Sequence, residues 1–253
     1  MAGTQAGYSQ SRSLSGRFPG QYPNRAGRGG RIPLGLDRIV AMKDTAFIRE
    51  NTAWSHAPLV PELGLFLATA ITPIWQATED WLAQRNVEPP FWAFAWPGSQ
   101  AIARHVLDHP ELVKGRRVLD FAAGCGLAAL ACARSGAQEA EAAEIDALAL
   151  AATTLNATEN GLTVRLAEGD VVGSPCRWDL ILCGDVCYEA PMTRHIMPWL
   201  RRMAKTAEVW IADPGRSYLP QEGMIAFAEY TVPTTLELED RTERHVRLFR
   251  LAP

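Results

Sequence analysis

From residue 116 onward, short apolar runs and helical stripes take turns along the chain. "RRVLDFAA" reads as a strand, "LAALACARSG" as a helix, "EAEAAEID" as a second strand and "ALALAATTLNATENG" as a helix ended by Gly161. "TVRLAEGD" and "WDLILCGD" follow as third and fourth strands, "MTRHIMPWLRRMA" as a helix and "AEVWIAD" as a fifth strand. This alternation predicts a parallel sheet covered by helices on both faces. At the end of the chain, "TTLELED" and "ERHVRLFRL" alternate with period two around a polar turn and predict an antiparallel hairpin.

The N-terminal third has a different pattern. "PELGLFLAT" and "PIWQATEDWLAQ" place apolar residues at helical spacing, with Pro61 and Pro73 suited to helix starts, so a helical cap is expected over about residues 37–90. "PPFWAFAWPGSQAIARHVLDHPEL" reads as a loop running into a helix. Residues 1–36 are rich in Ser, Gly, Gln and Arg and hold no acidic residue; such a segment cannot bury enough apolar surface to offset its ordering entropy and is expected to be a disordered tail. Its Arg-rich, acid-poor character fits an organelle transit peptide, and a true start at Met42 fits equally. Residues 37–253 are expected to form one domain.

Composition narrows the function. With 253 residues, 47% of them hydrophobic, the chain suffices for one substantial core. A net charge of -3 offers no general attraction for a phosphate backbone, which argues against nucleic acid as a main partner. Cys125, Cys132, Cys176, Cys183 and Cys187 form an odd set without a CxxC pair, which fits reduced thiols rather than disulfides or zinc, and Cys183 and Cys187 read as core filler. No apolar run reaches the ~20 residues of a membrane span, so a soluble, intracellular protein is expected.

The candidate chemistry lies where strands end. "VLDFAAGCGLAAL" puts Asp120 at a strand end, followed by Gly124 and Gly126 opening a helix. Glycines let the backbone approach a ligand, and a helix N-terminus favours a negative group. Glu144 follows Gly124 by about twenty residues, where an acid holds a ribose diol. NAD and S-adenosylmethionine both carry that diol. Asp120, useful beside the ammonium of a methionine moiety, and Asp170, expected near the adenine amino group, favour S-adenosyl-L-methionine. So does the long segment ahead of the glycines. Asp185 and Tyr188 leave the fourth strand end in the same turn.

The fourth strand's DxxY (Asp185-Val186-Cys187-Tyr188) and the upstream Trp96-Pro97 resemble the seven-β-strand protein-lysine methyltransferases. Within that group the chain is similar to those acting on the electron transfer flavoprotein β subunit, through "FIRENT", "FWAFAWPGSQA", "VLDFAAGCG", "GDVCYE" and "ADPGR". Ala122 departs from the glycine usual in that turn. The resemblance implies an α/β Rossmann-like seven-stranded class I methyltransferase sheet with an antiparallel C-terminal hairpin and the N-terminal helical cap. It implies S-adenosylmethionine as cofactor, held by Trp96, Asp120, Gly124, Gly126, Glu144 and Asp170. The flavoprotein β subunit is the implied substrate and Asp185 and Tyr188 the catalytic pair, with Trp92, Asp185 and Tyr188 binding the lysine and no metal. A cytoplasmic enzyme in a bacterium, or one of the mitochondrial matrix in a eukaryote, acting as a monomer away from membranes, completes that expectation.

A lysine amine attacks only when neutral, and near pH 7 neutralising it costs about 4.6 kcal/mol. Asp185 is expected to aim the incoming ammonium, while Tyr188 and a wall of Trp92 or Trp96 shape an aromatic slot. Rival readings remain: another protein substrate such as a ribosomal protein, an inactive cofactor-binding partner of the flavoprotein, or an NAD-dependent oxidoreductase. Adenine methylation is disfavoured because DVCY is not the Asn/Asp-Pro-Pro-aromatic sequence that cups an exocyclic amine. His56, His105, His109 and His195 read as surface or packing residues, Trp54, Trp75 and Trp81 as core, and "LEDRTERHVR" as a solvated hairpin face.

Overall fold

The computed structural model describes residues 44–69, 90–235 and 239–253. The tail over 1–36 and "PIWQATEDWLAQ", with Trp75 and Trp81, lie outside them. Residues 44–51 are helical and lead into an antiparallel hairpin of β1 (Ala53–Ala57) and β2 (Val60–Leu67). "PELGLFLAT" is therefore strand where a helix is expected. Leu63, Leu65, Phe66 and Leu67 are all buried, and a short continuous apolar run carries no period that separates the two.

The main sheet has seven strands in the order β5-β4-β3-β6-β7-β9-β8. These are β3 (Arg117–Phe121), β4 (Glu139–Glu144), β5 (Arg165–Glu168), β6 (Leu180–Gly184), β7 (Glu208–Asp213), β8 (Met224–Pro233) and β9 (Glu243–Leu251). The strands from β3 to β7 pair in parallel, and β9 runs antiparallel to both β7 and β8. The expected C-terminal hairpin is present, but its first strand is "MIAFAEYTVP", ahead of "TTLELED". A bulge between Ala226 and Ala228 interrupts the alternation that would mark it.

Alternate side chains go to opposite faces. Leu180 and Leu182 meet α1 (Pro97–Asp108) and α2 (Leu127–Arg134), whereas Ile181 and Cys183 meet α4 (Ala190–Met203). Helix α3 (Ala147–Glu159) carries the N-terminal hairpin. Asn156 Oδ1 accepts from Phe66 N at 2.8 Å, and Asn160 exchanges bonds with both the N–H and the C=O of Gly64. Two asparagine side chains thus close the outer edge of β2. Strand order reverses between β3 and β6, and ligands of open α/β sheets bind beyond the strand ends at such a point.

Candidate active site

On the β3–β4 side of the reversal, the chain turns sharply after Phe121. Ala122 (φ 54°), Gly124 (φ 55°) and Gly126 (φ 78°) are all left-handed. A side chain on Gly126 would strike Thr153, whereas one on Gly124 would meet only the Trp92 backbone at 3.9 Å, so Gly124 borders open space. Gly126 is the N-cap of α2 and has no capping side chain; Asp120 supplies the cap from β3, its Oδ2 accepting Ala129 N at 2.9 Å. Burial pushes the Asp120 carboxyl up to about 8. Expected at the rim beside an ammonium, Asp120 instead sits beneath the glycine turn.

Glu144 ends β4. Burial raises its carboxyl to about 7, against backbone N–H groups of its own turn and of Gly124 that favour the charged form. Ile145 follows it, 65% exposed, an apolar side chain with polar neighbours on either side in sequence. Asp170 stands two residues beyond β5 with both oxygens engaged, Oδ1 by Val172 N at 2.8 Å and Oδ2 by His195 Nε2 at 2.7 Å. His195, on the helix that follows the DxxY turn, is thus the partner of Asp170. The glycine turn and Glu144 suit a ligand with a ribose diol, whose hydroxyls would give the Glu144 oxygens donors of better geometry than the Asp146 N–H at 3.4 Å.

Across the reversal, Asp185 (φ 58°) is buried directly after β6. Trp96, the N-cap of α1, bonds none of that helix's amides with its side chain, and Asp185 Oδ2 takes the Gly98 N–H in its place. Gly98 has to be glycine: a Cβ there would lie 2.6 Å from both Ala212 O and Asp185 Oδ2. Asp185 Oδ1 accepts from Arg216 Nε at 3.0 Å and Nη2 at 2.6 Å. Arg216 Nη2 also reaches Glu239 Oε1 at 2.8 Å, and Arg244 Nε binds Glu239 Oε2 at 2.9 Å. Burial raises the Asp185 carboxyl to about 6, with Arg216 pulling the other way.

Rings surround this network. Phe91 stands 5.8 Å from Tyr188 and 5.9 Å from Trp96, whose Nε1 donates to Phe91 O, and the Arg216 guanidinium lies 5.9 Å from the Trp96 ring. Tyr188 is 38% exposed. Trp92, expected in this wall, is 1% exposed and packs with Ile48, Phe66 and Leu155; Phe91 takes its place.

Two further expectations change. Trp54 is 44% exposed and lies over Gly64 rather than in the core. Within "LEDRTERHVR", Glu239 is fully buried between two arginines rather than solvated. His105 keeps a packing role, buried against Trp210 and Phe227 with its Nδ1 bonded to the Tyr230 hydroxyl at 2.9 Å. Arg216 was visible in "ADPGR" without its role, while Gly98, Ile145 and Phe91 carried no signal of theirs. Among the described residues no His/Cys/Asp/Glu group is arranged to hold a metal, no helix is long and apolar enough to cross a membrane, and the five cysteines are free thiols.

The family model of the methyltransferase small domain matches residues 95–184, from the Trp96 loop to the end of β6. The electron transfer flavoprotein beta subunit lysine methyltransferase of Rattus norvegicus is 35% identical over 201 residues, 76% of this chain and 78% of that one. Its Xenopus laevis counterpart is 38% identical, covering 71% and 74%. The ribosomal protein L11 methyltransferase of Dechloromonas aromatica is 35% identical over 100 residues, 39% of this chain and 33% of that one. Among solved structures, the ribosomal protein L11 methylase of Lactobacillus delbrueckii subsp. bulgaricus aligns with a TM-score of 0.46 at 19% identity, covering 63% and 80%. With relatives 34–38% identical over 71–82% of its length, the chain belongs to the electron transfer flavoprotein β subunit lysine methyltransferase family.

Proposed function

We propose that this chain methylates lysine side chains of the electron transfer flavoprotein β subunit. It is a methyltransferase, and S-adenosylmethionine is its methyl donor. The observation that carries the lysine reading is the cluster of Phe91, Trp96 and Tyr188 beside the buried Asp185–Arg216 pair, across the strand reversal from the glycine turn. Bound there, the donor supplies a methyl group activated on a positive sulfur. Gly124 and Gly126 give room for its close approach, Glu144 holds the ribose diol and Ile145 covers one face of the base. Asp170 enters this reading only as the anchor of His195 at the rim.

The rings receive the aliphatic stem of the lysine and exclude water from its amine, which lowers the cost of the neutral form. Asp185 accepts an amine N–H and aims the lone pair, so positioning supplies most of the rate. Because Arg216 already balances the Asp185 charge, the slot holds no bare carboxylate to trap an ammonium. The enzyme works wherever its flavoprotein is found, in the cytoplasm of a bacterium or the matrix of a mitochondrion.

Incubating purified flavoprotein and, separately, ribosomal protein L11 with the enzyme and donor tests the reading by intact mass. Methyl increments on the β subunit alone are expected, mapped to lysine by peptide fragmentation. An unmodified β subunit beside methylated L11 would overturn the substrate. Thermal stabilisation by NAD and none by S-adenosylmethionine would overturn the chemistry.

A further inference from the structure

Glu239 is a buried carboxylate that bonds the same Arg216 nitrogen that holds Asp185. A buried ion network is weak evidence for stability, since apolar residues of equal volume often serve as well. What the network does provide is a shared cation. Arg216 is fixed at its backbone by Asp213 Oδ1, which takes Arg216 N at 2.6 Å, and its guanidinium is divided between two carboxylates. Any strengthening of one bond draws the charge from the other. Glu239 is in turn shared, its second oxygen and its carbonyl both held by Arg244.

We infer that Glu239, acting through Arg216, sets how firmly Asp185 receives the acceptor amine, so that Glu239 is a positioning residue of the lysine site. This rests on the proposed lysine reading of Asp185. When an amine arrives at Asp185, Arg216 leans towards Glu239, which serves as its second seat. The charged or titratable groups facing Asp185 are Arg216 from the segment after β7, Asp213 at the end of β7, Glu239, and the Cys187 thiol of its own turn. From α1 it meets the Gly98 N–H.

The chain predicts effects of opposite sign. In Glu239→Gln, Arg216 moves onto Asp185 and neutralises it further. The Michaelis constant for the flavoprotein should rise threefold or more, and the acid limb of its kcat/KM profile should move to lower pH. In Arg244→Gln, Glu239 is freed to draw Arg216 away, so the acid limb should move to higher pH. Cofactor affinity by calorimetry should stay within twofold in both. A role confined to holding the hairpin would lower the melting temperature of both variants and shift neither limb.

Shifts of the same sign, or parental profiles in both variants, overturn the inference. Should Glu239→Gln fail to fold, Arg244→Gln alone decides, and a parental profile overturns it. Asp185→Asn, measured alongside, separates this failure from that of the lysine reading. If Asp185→Asn is impaired and the other two are parental, only the Glu239 inference falls; if Asp185→Asn turns over at the parental rate, the reading beneath it falls as well.

Discussion

The two sides of the strand reversal treat their carboxylates in opposite ways. On the β3–β4 side, Glu144 has backbone donors of its own neighbourhood and no ion pair among the described residues, and burial raises its carboxyl to about 7. On the β6–β7 side, Asp185 is the more deeply buried and sits in a chain of alternating charges, Asp185, Arg216, Glu239 and Arg244. A site for neutral hydroxyls gains from an acceptor whose lone pairs remain available. A site that must receive an amine and release its proton gains from a carboxylate whose charge is already balanced. Left-handed backbone repeats the contrast. Ala122 and Asp185 both adopt it, but an aspartate tolerates that region and an alanine does not gain from it.

The largest expected break is Asp185→Ala. It leaves Arg216 facing one carboxylate, uncaps α1 and removes the proposed amine acceptor at once, so turnover should fall at least ~100-fold. Stability should fall by about 3 kcal/mol, in the range for breaking a buried pair. Methyl transfer assays and denaturant midpoints read the two losses, and parental values in both would erase the contrast between the two sides.

Glu144→Ala comes next and should act on the other side alone. Cofactor binding should weaken by about 1.5–3 kcal/mol, the range for hydrogen bonds to a charged group, with the flavoprotein's Michaelis constant unchanged at saturating donor. In the parental protein the diol prefers the ionised carboxylate, so affinity should rise as pH increases towards 7 and level off above it. Stability without ligand should show the reverse sign. A carboxyl raised from 4.5 to about 7 on folding contributes fully below its unfolded value, and that contribution is lost as pH rises through 7. Calorimetry and thermal melts at several pH values check both; pH-independent affinity would remove Glu144 from the diol.

The smallest effect is Ala122→Gly. Relieving a left-handed alanine should stabilise the fold by about 1 kcal/mol, read as a raised denaturant midpoint without change in activity. Asp185→Gly relieves the same backbone strain and should nonetheless destabilise, because there the side chain holds the chain together.

Much of this was legible in the sequence, and the losses have physical causes. Strands β3, β6 and β7 announce themselves as short apolar runs with an Asp within one residue of their ends, and β4 closes on Glu144. Strand β2 does not, because Leu63 to Leu67 form one buried run without a period, and β8 does not, because its bulge breaks the alternation. For the proposed site, residue types and spacings point to Glu144, the glycines, Asp185 and Tyr188. They did not distinguish an acid at the rim from one beneath it, hence Asp120. Nor did they show that Glu239, in a segment dense with charge, is sealed from water by Arg216, 23 residues earlier.

The asparagine closure of β2 has a consequence for synthesis. The hairpin of residues 53–67 leaves the ribosome complete, but the side chains that cover its edge, Asn156 and Asn160, lie 90 and 96 residues further along. At roughly 5–20 residues per second, the nascent chain carries an unpaired strand edge for roughly 5–20 seconds. Slowed translation between β2 and α3 lengthens that interval, and with it the opportunity for one growing chain to pair with another.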